Sequence, residues 1–222
     1  MEKLSGAYDT QAAGLPRGRT SQLTEVTREQ QRRRLIKGAI TSFADKGYAA
    51  TTITDIVKLA RVSRQVFYEI FDTKEDCFLA AEELGRKALV EQVLTSLQHK
   101  EINGDQWIRS PIHSYLQLCN TEQQFTRAWA VEFPNASQRC LAKRNEFFNE
   151  LGQRLKNGHA LIKMMNPDHW DDVPDLFYDA AIGGVYEIIF RFISENKFHE
   201  LIALEDELVD FVKSAIGYRS SP

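Results

Sequence analysis

Three helix starts fall within one short stretch, residues 47–78, GYAATTITDIVKLARVSRQVFYEIFDTKEDCF, and they constrain the fold more than any other feature. Thr52 precedes an apolar run and is followed three positions on by Asp55. Ser63 precedes a second short run, and Thr73 a third, with Asp76 three positions on. A Ser or Thr hydroxyl caps the free N–H groups of a first helical turn. A carboxylate three positions later caps in return and complements the helix dipole. Only Arg61-Val62 separates the first run from the second start. Two short helices joined by so tight a turn make a helix-turn-helix, whose second helix can enter a DNA major groove. The pattern predicts a binding device.

The same residues carry a family resemblance. Gly47-Tyr48, Thr51-Thr52, Ile56, Ala60-Arg61-Val62-Ser63, Phe67-Tyr68, Phe71 and Lys74 resemble the N-terminal domain of TetR-type transcriptional regulators, over roughly residues 27–80. Leu15-Pro16-Arg17-Gly18-Arg19 and Cys77-Phe78-Leu79-Ala80-Ala81 look like segments of one large TetR subgroup. Ala181-Ile182-Gly183-Gly184-Val185-Tyr186 is similar more loosely. Arg61 departs from the pattern where the turn usually has Gly, and Gln65 where a small residue is common. The first departure bears on turn geometry, the second on which sequence is read. The resemblance implies a homodimer on operator DNA, with a small-molecule effector pocket in a larger helical domain.

A chain of 222 residues, 43% of them hydrophobic, has room for one small and one larger domain. No apolar run approaches the roughly 18 residues that span a membrane, and the first residues lack a signal-peptide core. A cytoplasmic protein without a membrane partner is therefore expected. Cys77, Cys119 and Cys140 are widely spaced, with no CxxC pair, as befits reduced core thiols. Residues 1–75 hold 13 Lys and Arg against 9 Asp and Glu; residues 76–222 hold 15 against 22. A basic N-terminal part on an acidic body suits DNA contact at one end.

The whole chain reads as all-α, with about nine helices. Residues 1–25 form an expected flexible basic arm, 26–75 the helix-turn-helix domain, and 76–222 the ligand-binding and dimerisation domain. Thr27, with Gln30, is the expected cap of a first helix that ends at Gly47. Helices then follow over about 53–60, 64–71 and from Thr73 to near residue 98. A fifth lies near 107–119, where Ser110-Pro111 marks either a kink or the first turn. The sixth covers about 123–133 and stops before Pro134; the seventh runs from Ser137 to about Gly158. A loop over 158–174 precedes helices at 175–195 and 205–216.

On the third helix Arg64 can pair bidentately with guanine and Gln65 with adenine, while Val66 can meet a thymine methyl. Ser63, at the leading end, completes the base-facing turn. The resemblance gives Tyr68 a phosphate contact; Thr52 at a helix N-terminus suits another phosphate. Lys74 opposes the dipole of its own helix, a conflict a phosphate would relieve. Arg17 and Arg19 can enter a minor groove from the arm. Double-stranded DNA is the expected partner.

Aromatics and methionines concentrate in residues 105–190. The expected pocket lining is Trp107, Tyr115, Phe125, Trp129, Phe133, Phe147, Leu151 and Tyr178, with Arg127, Glu132, Asn135 and Arg144 as candidate polar orienters. Each of these also fits a plain helical core or its surface. Ala180 and Gly184 lie four apart on the eighth helix, and glycines inside a helix each cost about 1 kcal/mol relative to alanine. Close packing should compensate, so Ala180, Ala181, Gly184 and Ile188, with Leu208, Phe211 and Val212 on the ninth helix, form an expected four-helix dimer interface. The alternative is that the glycines admit a neighbouring helix of the same chain.

Catalysis finds no support in the motifs. The five histidines show no metal-binding spacing, and no nucleophile elbow, P-loop or dinucleotide fingerprint is present. Asp168, Asp171, Asp172 and Asp175 lack the glycine and bidentate glutamate of a calcium loop and read as a solvated acidic loop. No cofactor and no metal is expected. The competing function is a non-catalytic ligand-binding or interaction protein whose DNA reader is altered or lost.

Overall fold

The computed structural model describes residues 3–6, 25–97 and 104–219, and among them every regular element is a helix. In chain order these are α1 (Glu25–Lys46), α2 (Ile53–Ala60), α3 (Arg64–Ile70), α4 (Lys74–Leu97) and α5 (Gly104–Thr121). Next comes α6, which runs from Gln123–Arg127 through a π turn, Ala128–Glu132, into Phe133–Ala136. α7 (Gln138–Met165), α8 (Leu176–Ser194) and α9 (Glu205–Ala215) follow, with 3₁₀ turns at Pro167–His169 and Phe198–Leu204. Counting α6 as one interrupted helix, the described residues hold nine helices, in keeping with the all-α fold of about nine helices read from the sequence. Contacts divide the chain into two compact units: residues 1–87 with 124–140, and residues 88–123 with 141–222.

The first unit is built on one face of α1. Leu35, Ile36, Ala39, Ile40 and Phe43 recur at helical spacing and are fully buried. Burying such aliphatic and aromatic side chains contributes about 1.5–3 kcal/mol each. α1 packs on α2 and α3. A Cβ on Gly38 would stand only 3.0 Å from the Ile56 carbonyl oxygen, so the α1 and α2 backbones meet there. Phe78 of α4 joins Phe43 with ring centroids 4.3 Å apart and meets Phe133 edge-on at 4.9 Å.

That last contact places α6 with the helix-turn-helix, not with the body beyond residue 76. Glu132 accepts the Tyr48 N–H at 2.7 Å, Ser137 donates its hydroxyl to Glu75, and Arg139 pairs with Glu75 at 3.1 Å and Asp76 at 3.0 Å. Glu132 is thus a brace of the α1–α2 connection instead of an orienter of ligand. Asn135 is likewise turned to backbone, donating to the Val131 carbonyl.

Two helix ends differ from the expected ones in this unit. α1 already includes Glu25, so Thr27 sits inside the first turn, and the acidic Glu25 there complements the helix dipole. α6 passes through Pro134 because the π turn intervenes: Phe133 N–H bonds back to Ala128, and Pro134 falls where a new first turn needs no donor. Of residues 1–25, Leu4 is buried and Gly6 N–H donates to Thr41 Oγ1, so this short piece packs on α1. Arg17 and Arg19 lie outside the described residues.

In the second unit α5 packs on α9 and on the Phe198–Leu204 turn, and α9 packs on α8. Ile108, Leu116, Ile189, Ile193, Leu201 and Val209 are buried there. Pro111 stands inside α5, which begins at Gly104, so it marks no first turn. α7 continues to Met165, past the loop expected from Gly158. The reason is steric: a Cβ on Gly158 would fall 2.2–2.3 Å from the Trp107 indole, so this glycine admits a ring and ends no helix. Beyond α7 three of the four aspartates pair individually: Asp171 with Arg219, Asp172 with Lys163 and Asp175 with Lys156. The acidic loop is therefore ion-paired at the surface. An antiparallel bridge between Trp170 and Tyr218 ties down the chain end. No helix among the described residues is long and apolar enough to cross a membrane.

Candidate nucleic-acid interface

The expected caps close the helix-turn-helix. Thr52 and Asp55 form a reciprocal capping box at α2, with Asp55 N–H to Thr52 Oγ1 at 3.2 Å and Thr52 N–H to Asp55 Oδ2 at 2.9 Å. Ser63 Oγ accepts the Val66 N–H at 3.1 Å and starts α3. Thr73 and Asp76 repeat the reciprocal box at α4. The Lys46 ammonium, then Thr52, hold the Asp55 carboxyl well below the usual carboxylate range. Thr73, then Arg139, lower that of Asp76. Both contributions are present above the ordinary carboxylate pKa and are lost as pH falls through the folded-state values.

Between α2 and α3, Arg61 takes up the left-handed conformation, φ 50° and ψ 47°, which the family pattern leaves to glycine. Val62 N–H reaches back to the Val57 carbonyl, so the turn closes despite the side chain. An L residue in that region costs about 1 kcal/mol. Arg61→Gly is therefore expected to raise stability by up to about 1 kcal/mol, less the gain in unfolded-state freedom. A thermal melt of the purified protein measures it.

α3 has two sides. Phe67 is fully buried, with Phe71 at a ring-centroid distance of 6.0 Å. Arg64 and Gln65 are exposed, Val66 is half-buried, and Tyr68 is 50% exposed with its ring edge-on to Phe67. Gln65 Nε2 donates to Glu69 Oε1 at 3.0 Å, which aligns the amide along the helix. Glu69 and Arg28, which donates to the Glu69 carbonyl, were not singled out in the sequence. The signal for Glu69 was its i, i+4 spacing from Gln65; Arg28, 41 positions from Glu69, had none.

Two expected phosphate contacts are spent inside the chain. The Thr52 N–H and hydroxyl both go to the Asp55 carboxylate, which holds negative charge where a phosphate would sit. The Lys74 ammonium donates to the carbonyls of Tyr48 at 2.7 Å and Thr51 at 2.9 Å and lies 4.3 Å from the Tyr48 ring centroid. Loss of hydration lowers its pKa. The conflict between Lys74 and its helix dipole is thus resolved by carbonyls of the α1–α2 connection.

The expected effector lining divides between the two units. Phe125, Trp129 and Phe133 belong to the first unit and are buried in it. Phe125 projects its ring onto Gly85, where a Cβ would lie 1.9 Å from Cζ. Trp107, Tyr115, Phe147, Leu151 and Tyr178 belong to the second. Tyr178 hydroxyl and His159 Nδ1 are 2.7 Å apart, a buried polar pair beside Trp170. Burial, with Cys119 and Tyr186 nearby, raises the Tyr115 phenol well above its ordinary value.

Of the expected dimer residues, Ala181, Leu208 and Val212 are buried within the single chain, because α8 and α9 pack on each other. They are core and not an outward face. Gly184 receives Phe211 of the same chain: a Cβ there would lie 2.7 Å from its Cζ. Ala180 is exposed, Ile188 half-buried, and Phe211 partly exposed, while Leu176 is 72% exposed beside Phe177.

The first unit is thus a capped helix-turn-helix whose second helix presents a polar face to solvent, the shape a DNA major groove admits. Residues 35–81 match the model of bacterial regulatory proteins of the tetR family. The helix-turn-helix segment is thus that of the tetR family's regulatory proteins. A fatty acid degradation regulator, FadR, of Bacillus halodurans is similar in fold at TM-score 0.71 and 17% identity, over 85% of this chain and 97% of that one. FadR of Bacillus subtilis, solved with stearoyl-CoA, matches at TM-score 0.69 and 18% identity, over 82% and 98%. A TetR-family regulator of Syntrophomonas wolfei matches at 0.70 and 16%, over 87% and 99%. At these identities the likeness is one of fold. Among curated protein sequences none matches significantly.

Proposed function

We propose that the protein is a cytoplasmic repressor that binds a palindromic operator as a homodimer and is released by a small, largely apolar effector. The observation that carries this reading is the two-sided recognition helix: Phe67 anchors α3, while Arg64, Gln65 and Tyr68 stand in solvent. Half-sites about one helical turn apart, ~34–36 Å, demand two such helices at fixed spacing. An effector that selects another spacing weakens both contacts at once. For the dimer, Leu176, Phe177, Ala180, Ile188 and Phe211 remain as an apolar face on α8 and α9. An acyl effector is suggested by the stearoyl-CoA complex of the Bacillus subtilis regulator. The left-handed Arg61 keeps the turn intact, which weighs against a decayed reader.

The test is operator selection from a random duplex pool, followed by anisotropy titration. Arg64→Ala is expected to weaken the selected operator by ~1–3 kcal/mol and relax one base position. Tyr68→Phe should weaken all sequences alike. A sequence logo unchanged by Arg64→Ala would remove that side chain from base readout, and no enrichment of any duplex would sink the regulator reading.

A further inference from the structure

Arg144 of α7, in the second unit, pairs with no carboxylate among the described residues. Its guanidinium carbon lies 4.2 Å from the Phe148 ring centroid and 4.8 Å from that of Tyr186. Those two rings meet at 4.9 Å and 69°, and Tyr186 stacks on Phe190 at 5.9 Å. Tyr115 of α5 lies near enough to feel the Arg144 charge. Arg144 Nη1 donates to the Asn145 side-chain oxygen at 3.1 Å. Nε is sealed from solvent and has no hydrogen-bond acceptor among the described residues. The adjacent carboxylate, Glu146, is bonded to Lys143 at 2.7 Å instead.

Arg144 is half-buried, and a sealed N–H left without an acceptor is costly. Two aromatic faces offset part of that cost through cation–π attraction. Asn145 and the Tyr186 hydroxyl take part of the guanidinium's N–H edge, and Nε is left as the unsatisfied element. That edge has the spacing of a carboxylate or phosphate, which it can take bidentately. Phe147, Phe148, Tyr186 and Phe190 make the neighbourhood apolar, so a hydrated inorganic ion is a poor match.

We propose that Arg144 anchors the effector by an anionic head, so that the ligand is an organic acid with an apolar body. This rests on the reading that the second unit receives an effector, and it narrows that effector from apolar to acidic and amphipathic. Arg144 is then a specificity residue: cationic analogues are repelled and neutral ones offer Nε no charged acceptor.

Calorimetric titration of the full-length protein with matched probes tests it: decanoate against decanol and decylamine, and 1-naphthoate against 1-naphthol. At least one acid is expected to bind about tenfold or more tightly than its alcohol, with decylamine weakest. Arg144→Met, which keeps the stem, should abolish that preference, and Arg144→Lys should retain part of it. Decyl phosphate separates the two head groups: a preference for it over decanoate assigns a phosphate ester, the reverse a carboxylate. Circular dichroism melts establish that the variants are folded; if Arg144→Met is not, the native series and Arg144→Lys decide. Alcohols bound as tightly as acids, no acid bound, or a preference that survives in folded Arg144→Met overturns the proposal. Operator release by decanol alone would also overturn it, leaving the regulator reading intact. An acid that binds through Arg144 without releasing operator would keep the anchor and remove the regulatory coupling.

Discussion

Phe67→Ala is expected to destabilise the first unit by about 3–5 kcal/mol and to abolish operator binding, although Phe67 touches no base. The residue is fully buried at the centre of a seven-residue helix. Its ring meets Tyr68 at 5.5 Å and Phe71 at 6.0 Å. An isolated helix of this length does not persist in water, so tertiary packing supplies nearly all of its stability. Truncation removes both the buried area and the ring contacts and leaves a cavity that backbone shifts fill only in part. The Ser63 cap, worth about 1 kcal/mol, cannot hold the helix alone. Thermal melts should show the loss without DNA, and anisotropy should show no selective binding. Phe67→Leu, which keeps most of the volume, should recover much of both. A Phe67→Ala protein that melts like the native one would mean that α3 is held by something other than its apolar side.

The contrast between caps and pockets shows what a sequence makes legible. Thr52, Ser63 and Thr73 announce helix starts because capping is local: donor and acceptor lie three residues apart, and the hydrogen bonds form where the spacing puts them. The core face of α1 is legible for the same reason, since its period is written in consecutive residues. Glycine and proline are local signals with nonlocal meanings. Gly47 ends α1 at φ 79°, as read, but Gly158 makes room for Trp107, more than fifty positions earlier in the chain. Pro134 falls after a π turn that no propensity announces. Aromatic clustering in residues 105–190 suggested one lining, yet Phe133 packs with Phe78 while Phe148 packs with Tyr186. Which ring meets which depends on helix packing, and that is set by partners distant in sequence. Lys74 is the sharpest case: its charge was legible, but the carbonyls that receive it come from a connection formed only when α1 and α2 dock.

Gly85→Ala is expected to cost about 3 kcal/mol, at the upper end of ordinary overpacking, through a residue with no polar or charged role. A Cβ built on Gly85 would lie 1.9 Å from Phe125 Cζ and 2.6 Å from both Cε atoms, closer than non-bonded carbons approach. The obstructing atoms are the rigid end of a buried aromatic ring, so the clash cannot be absorbed by a flexible tip. Either the Phe125 ring leaves its rotamer, or α4 and the start of α6 move apart. The helix propensity of alanine over glycine, about 1 kcal/mol, opposes this but is smaller. Phe125→Leu alone should also destabilise, because it shortens the ring and opens space against Gly85. Combined, the two changes are complementary: the added methyl enters the volume the ring has vacated. The double variant Gly85→Ala with Phe125→Leu should therefore be more stable than the sum of the single losses, by a coupling on the order of 1–2 kcal/mol. Urea melts of the four proteins in the cycle measure that coupling. Additive losses would mean that Phe125 does not rest on Gly85 and that its ring is available to a pocket, as its place among the aromatics first suggested.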